Sequence, residues 1–170
     1  MSITIKEEHE ICLTCGFCCD NTLFDVGRLD DGPISKKFNN PITVVDGQNV
    51  FSFPCNCFDK KCTIYNEGIP KVCSKFKCKV LLSAIGGDLS KEASLSMIAE
   101  AKTIRDEILR MYLGAFKKTI TFRQLVRKVY VKNPAVLEHK VLVIKTQLLD
   151  VLIAKHFKTK EQFEDFYELD

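Results

Sequence analysis

The sequence predicts a mainly α-helical protein with an irregular, metal-bound, cysteine-rich module, a short β-hairpin near residues 42–53 and a helical bundle in the C-terminal half. All nine cysteines lie before residue 79. Apolar residues recur at helical spacing after residue 88, and an Asp-Gly pair separates two short runs of β-forming residues. The chain of 170 residues therefore divides into a cysteine-rich metal-binding module, 1–87, and an α-helical region, 88–170. We expect the two to pack as one compact unit.

The first half reads as irregular, with a few short elements. The runs Ile42–Val45 and Gln48–Phe53 flank Asp46-Gly47, and Asp-Gly supplies the positive φ angles that a tight hairpin turn needs. Pro70 suits the first position of a helix, and Gly86-Gly87 suits its end. We expect a single helix between them, carrying Cys73, Phe76, Leu81, Leu82 and Ile85.

The second half predicts packed helices. Two apolar stripes recur at steps of three or four, which is typical of a buried helix face. The first contains Ile98, Ala101, Ile104, Ile108, Met111 and Ala115, and the second contains Leu137, Val141, Ile144, Leu148 and Leu152. Asp88 or Ser90 suits the N-cap of the first helix. Thr121–Gln124 and Thr159–Gln162 have the form of capping boxes.

The cysteine spacing is typical of metal ligands. Residues 12–19 read Cys-Leu-Thr-Cys-Gly-Phe-Cys-Cys, and two cysteines separated by two residues can direct both sulfurs at one ion. Gly16 allows the backbone to turn tightly there. The other cysteines are Cys55, Cys57, Cys62, Cys73 and Cys78. Zinc sites and iron–sulfur clusters commonly take four thiolates, so this number suits two centres, or one centre with sulfurs to spare.

Several alternatives stay open at this point. Cys55 and Cys57 compete, so one of them is a candidate spare. Cys73 and Cys78 lie roughly 140° apart on a regular helix, so they either flank a helix break or serve different centres. His9 is a candidate ligand or a solvated side chain. The lysines between Cys55 and Lys79 either offset thiolate charge or form a solvated face.

These residues resemble a known family. The pattern CxxCGxCC, then a cysteine before Cys62-Thr-Ile-Tyr65, then Pro70-x-x-Cys73-x-x-Phe76-x-Cys78, resembles the CxxCxxCC family of zinc- or iron-chelating domain proteins, which are mostly bacterial. The resemblance covers roughly residues 12–78. It implies metal binding through Cys12, Cys15, Cys18, Cys19, Cys55, Cys62, Cys73 and Cys78, which leaves Cys57 as the extra. The family usually has Arg-Pro at Ile69-Pro70 and often Leu at Phe58. A related motif in flagellin lysine methylases looks like an iron–sulfur site.

These features predict a cytoplasmic, non-catalytic or accessory protein that holds zinc or iron, with an iron–sulfur cluster as one form of the iron. No catalytic base or nucleophile stands out apart from the cysteines. The alternatives are an iron–sulfur enzyme in group or electron transfer and a zinc-stabilised module that binds protein or nucleic acid. The net charge of +3 and a basic, aromatic stretch at 116–130 do not by themselves predict nucleic-acid binding. We expect no membrane partner, because no apolar run approaches roughly 20 residues and the N-terminus lacks signal-peptide features. The sequence names no partner protein.

Overall fold

The computed structural model describes residues 3–30, 32–159 and 166–167, and about half of the chain is helical. The helices are α1 (Ile5–Cys15), α2 (Lys71–Lys75), α3 (Lys79–Gly86), α4 (Lys91–Phe116), α5 (Phe122–Tyr130), α6 (Pro134–Leu137) and α7 (Lys140–His156). The strands are β1 (Val26–Arg28), β2 (Ile42–Val45), β3 (Gln48–Ser52), β4 (Phe58–Asp59), β5 (Lys61–Cys62) and β6 (Phe166–Tyr167). The helices and the small sheet agree with the predicted fold class. The metal-bound character of the module stays a prediction.

The predicted hairpin is confirmed as β2 and β3. Ile42 pairs with Phe51, and Val45 pairs with Gln48. Asp46 and Gly47 both have positive φ, as a tight hairpin turn requires. The hairpin belongs to an antiparallel sheet with the strand order β2-β3-β1-β6. Phe51 of β3 is fully buried, so the sheet covers one side of the core.

Helix α1 is an element that the sequence interpretation missed, because it treated the start of the chain as irregular. Thr4 caps the helix in a reciprocal capping box with Glu7. At the other end, Gly16 adopts a left-handed conformation with φ of 69°. Only Ile11 and Cys15 of this helix are buried, so its apolar face is too narrow to produce a strong helical pattern. The helix carries Cys12 and Cys15.

The single helix predicted between Pro70 and Gly87 is wrong, since the structure has two helices there. Pro70 is the N-cap of α2 and not its first residue, and α2 ends at Lys75. Phe76 has extended backbone angles. The chain then enters α3, with Cys78 as the N-cap and Gly87 as the left-handed C-cap. The break explains how two cysteines five residues apart can face the same region.

Helix α4 forms as predicted, with Ser90 as its N-cap accepting a hydrogen bond from the Ala93 amide. Its apolar stripe is buried only in part: Ile98 and Ile108 are buried, whereas Ile104 is 37% exposed. The capping box at Thr121 and Gln124 is confirmed at the start of α5. The proposed box at Thr159–Gln162 extends outside the described residues.

The predicted buried stripe of α7 is wrong. The stripe residues Leu137, Val141, Ile144, Leu148 and Leu152 are all exposed. The helix instead buries a different face, formed by Leu142, Thr146, Leu149 and Ile153. Since α7 is apolar on two faces, periodicity alone does not indicate which face packs against α4 and α5.

One hydrophobic core contains side chains from both predicted regions. Phe17 and Phe24 from the first half belong to the same cluster as Ile98, Leu125 and Phe157 from the second. The ring of Phe17 meets the ring of Phe157 edge to face, with 5.1 Å between centroids. The cysteine-rich half is therefore packed on the helices and not joined to them by a linker. Among the described residues, no helix has the length and apolar character needed to cross a membrane.

Candidate metal centre

The first four cysteines lie at the end of α1 and in the turn that follows. Cys12 and Cys15 are three residues apart on the helix, so they share one face. The amide of Gly16 donates to the Cys12 carbonyl at 3.3 Å and ends the helix. The amide of Cys19 then donates to the Gly16 carbonyl at 2.9 Å. This turn folds Cys18 and Cys19 back toward the helix end.

The other four predicted ligands come from separate elements. Cys55 is held beside the first group because its amide donates to the Cys19 carbonyl at 2.8 Å. Cys62 ends β5, and Cys73 lies in α2. Cys78 caps α3. Chain segments that are distant in sequence therefore supply sulfur atoms to one region.

This region is a cavity of about 80 Å³. All eight cysteines that the family resemblance implied line it: Cys12, Cys15, Cys18, Cys19, Cys55, Cys62, Cys73 and Cys78. The remaining lining side chains are apolar or aromatic, with Tyr65 as the one that carries a polar group. The structure therefore brings the predicted site residues together in a buried, mostly apolar environment.

Cys57 does not line the cavity. Its side chain is buried, and its thiol donates to the backbone carbonyl of Lys37 at 3.4 Å. Cys55 is different, because it lines the cavity while its thiol donates to the Asn40 side-chain oxygen at 3.2 Å. Of the two competing cysteines, Cys55 is the one placed with the cluster.

His9 also lies apart from the cavity. It lines an open groove on the surface together with Lys60 and Tyr65. The His9 ring meets the Tyr65 ring edge to face at 5.2 Å. Tyr65 lines both spaces, so its ring borders the groove on one side and the cavity on the other.

Burial raises the pKa of all eight thiols. For Cys12 and Cys55 the pKa rises to about 11. Neighbouring thiolates add to the effect. Burial is the largest cause of the raised pKa of Cys19, and the next largest are Cys73, Cys62 and Cys55. Without a cation the cluster is therefore neutral at ordinary pH. A bound cation stabilises the thiolate form, because it offsets both the burial and the mutual repulsion.

Backbone amides act in the opposite direction. Four cysteines face the amide of the second residue that follows them, and each of these contacts lowers the pKa of the thiol. The pairs are Cys15 with Phe17, Cys55 with Cys57, Cys62 with Ile64, and Cys78 with Val80. Cys78 also faces the amide of Leu81, because it caps α3. Such amides stabilise the thiolate form, so these four cysteines have the backbone donors that a thiolate needs.

The lysines near the cluster are not placed to offset the negative charge of the thiolates. Lys77 forms an ion pair with Glu8 at 2.7 Å. The lysines at 60, 61, 71, 75 and 79 are exposed. These lysines therefore form a solvated face, which is the other interpretation that the sequence left open.

Two basic residues of α4 contact the cysteine turn, and sequence reasoning missed both. Arg105 donates to the Asp20 carboxylate and to the Thr22 hydroxyl, and its guanidinium lies 5.2 Å from the centroid of the Phe17 ring. Lys102 donates to the carbonyl of Thr14 near the end of α1. Nothing in the sequence pattern distinguishes these two from the other charged residues of the helix.

The thiols share a cavity without forming a preassembled metal-binding group. Within residues 3–30 and 32–159, no group of three or more His, Cys, Asp or Glu side chains is arranged to hold a metal ion. The structure thus shows eight thiols around one cavity. Compared with known proteins, the chain matches no family model, no curated protein and no solved structure.

Proposed function

We propose that this protein binds metal through the thiolates of eight cysteines and holds it in a non-catalytic or accessory role. One observation carries the proposal. Eight cysteines from separate chain segments line a single buried cavity, while the ninth, Cys57, bonds to a carbonyl elsewhere. Buried inert cysteines have no physical reason to meet at one point, since each packs equally well in any apolar environment.

The electrostatic neighbours suggest two sets of four that meet at Cys12 and Cys19, since Cys19 also acts on Cys18 and Cys12 also acts on Cys19 and Cys73. Apart from burial, the pKa of Cys18 is raised by four neighbouring thiols: Cys19, Cys15, Cys12 and Cys78. For Cys19, the next residue, they are Cys73, Cys62, Cys55 and Cys12. The proposed sets are Cys12, Cys15, Cys18 and Cys78 for one centre, and Cys19, Cys55, Cys62 and Cys73 for the other. Each set has the four thiolates that a zinc site or a cubane cluster commonly takes.

The size of the cavity favours iron–sulfur clusters over zinc. A zinc ion lies about 2.3 Å from each of its sulfurs, so four thiolates close around it and leave no free space. Here the eight thiols share a cavity of about 80 Å³ with apolar side chains. A cluster fills such a space with its own iron and sulfide atoms, and the apolar lining would shield it from water. Zinc in one or both sets is the alternative that the experiment below distinguishes.

The composition of the lining supports a non-catalytic role. Apart from the cysteines and Tyr65, the side chains around the cavity are hydrocarbon or glycine. General acid–base chemistry needs titratable groups in reach of a substrate. An iron–sulfur enzyme in electron transfer is a second candidate, favoured only by the Tyr65 ring, which links the cavity to the surface groove. A cluster would supply one-electron chemistry to either role.

The test is metal analysis of the full chain purified without oxygen, combined with its visible absorption spectrum. We expect iron with acid-labile sulfide and a charge-transfer spectrum in the visible range. Zinc without visible absorption would assign zinc and overturn the cluster. Well below one equivalent of zinc plus iron would overturn metal binding altogether. Cys57→Ser is the matched control for Cys18→Ser, because both remove a sulfur from the same half and only Cys18 lines the cavity.

A further inference from the structure

The outer face of α7 carries exposed apolar side chains that the proposed metal centre does not explain. Five large aliphatic side chains of this helix are 45–61% exposed: Val141, Ile144, Leu148, Val151 and Leu152. We call them the outer stripe. On the opposite face, Leu142, Leu149 and Ile153 are buried in the core. A helix that is apolar on both faces is normally covered on both.

The outer stripe is large enough to matter. With about half of each side chain exposed, it presents on the order of 400–500 Å², comparable to the largest apolar patch on a typical monomer. Leu137, 39% exposed at the end of α6, lengthens it. If a second copy covers the same patch with its own, the contact buries roughly 1,000–1,200 Å² in total with the flanking side chains, the range of weak but specific dimers.

The spacing and charge of the stripe fit a helix as its occupant. Val141, Ile144, Leu148 and Val151 are separated by three, four and three residues, the alternation that lets one helix seat its side chains on another. Lys145, at the edge of the stripe, is already neutralised by an ion pair with Glu107. The centre of the stripe therefore has no unpaired charge to bury, as a stable interface requires.

One end of the stripe carries charges of both signs and the other end is basic. Exposed Glu138 precedes α7 and exposed Lys140 begins it, whereas exposed Lys155 lies in its last turn. Glu138 and Lys155 are equally far along the chain from the middle of the stripe. When two copies meet about a twofold axis through that middle, the helices run antiparallel and Glu138 of each approaches Lys155 of the other. A parallel pair would place like charges together instead.

From this size, spacing and charge we propose that a second copy of this chain covers the outer stripe, so that the protein is a homodimer joined by antiparallel α7 helices. The dimer does not depend on the metal centre, because α7 contributes none of the residues that line the cavity. Its test can therefore fail while the proposed function holds, and the reverse is equally true.

Sedimentation equilibrium of the full chain tests the dimer over a range of concentrations. We expect a dimer for the wild type, and Ile144→Glu or Leu148→Glu should raise the dissociation constant by about a hundredfold or more. Both positions face solvent, so circular dichroism and metal content should not change. Val44→Glu is the matched control, since Val44 is 69% exposed on β2, away from α7, and should leave the dimer intact. A wild type that stays monomeric at all concentrations, or a dimer that survives both substitutions, overturns the proposal.

A charge exchange tests the antiparallel arrangement separately. Glu138→Lys should weaken the dimer, since it places two cations at each end of the contact. Combining it with Lys155→Glu should restore the affinity by re-creating opposite pairs. If Glu138→Lys has no effect, or if the second change does not restore binding, the antiparallel geometry is wrong.

Discussion

Gly16 is the position in the cysteine turn where one methyl group should have the largest calculable effect. Its φ is +69°, and a Cβ built on it would lie 2.6 Å from Cζ of the Phe58 ring. The residue also ends α1 and directs Cys18 toward the cavity. Gly16→Ala therefore adds two penalties at the site where the cysteines meet: a left-handed backbone for a residue with a Cβ, and an overlap with a ring.

The size of the loss follows from these two effects. An alanine in the left-handed region costs about 1–2 kcal/mol, and an extra methyl group that must displace the Phe58 ring typically costs about 1–3 kcal/mol. We therefore expect Gly16→Ala to lower the free energy of unfolding by about 2–5 kcal/mol. The displaced turn should also reduce the metal content. Adding Phe58→Ala should recover the overlap part in a double-mutant cycle, but not the backbone part.

Two other glycines provide matched controls for urea unfolding followed by far-UV circular dichroism. Gly47 has φ of +76° but no atom within 4 Å of a Cβ, so Gly47→Ala should show the backbone cost alone, about 1–2 kcal/mol. Gly114 lies inside α4 with open space around it, so Gly114→Ala should stabilise the protein by up to about 1 kcal/mol. If Gly16→Ala costs no more than Gly47→Ala, the overlap argument is refuted.

Three further outcomes are expected. Cys57→Ser should keep the metal content near wild type, whereas Cys55→Ser should lower it or give insoluble protein. The reverse pattern in metal analysis would mean that the two cysteines are assigned wrongly. Verified metal removal should speed proteolysis of residues 12–78 while the later helices keep their circular dichroism, because ligation supplies folding energy to irregular backbone; unchanged cleavage would contradict this. Asp25→Ala should cost about 3–5 kcal/mol in urea unfolding, because it removes the buried carboxylate that pairs with both Arg123 and Arg127. Lys37→Ala, in an exposed ion pair, should cost less than about 1 kcal/mol, and equal losses would refute the argument.

The sequence predicted the members of the cluster better than the elements that carry them. The resemblance to the CxxCxxCC family selected the eight residues that share the cavity and left Cys57 out, whereas cysteine spacing alone left Cys55 and Cys57 as competitors. Helix α1 was missed because the interpretation relied on apolar periodicity, which is weak in this segment. Its capping box, Thr4 with Glu7, was a readable signal for a helix start.

Other features could not be obtained from local patterns. The helix break between Lys75 and Lys79 places Cys73 and Cys78 against the same cavity. The break depends on tertiary contacts of these two residues, and the local sequence does not contain that information. The two apolar faces of α7 are an ambiguity of a different kind. Periodicity recognises that each face is apolar, but packing against α4 and α5 decides that Leu149 turns inward and Leu148 outward.

Helix α4 explains why the cysteine turn and the helical half form one structure. Lys102 and Arg105 lie one turn apart on this helix, so they project from the same face. Lys102 holds the carbonyl of Thr14 just before the turn, and Arg105 holds Asp20 and Thr22 just after it. These contacts fix both ends of the segment that contains three of the eight cysteines, Cys15, Cys18 and Cys19. The sulfurs are therefore positioned by a regular 26-residue helix and not by loop backbone alone, and this gives the cysteine-free half of the chain a role in shaping the candidate metal centre.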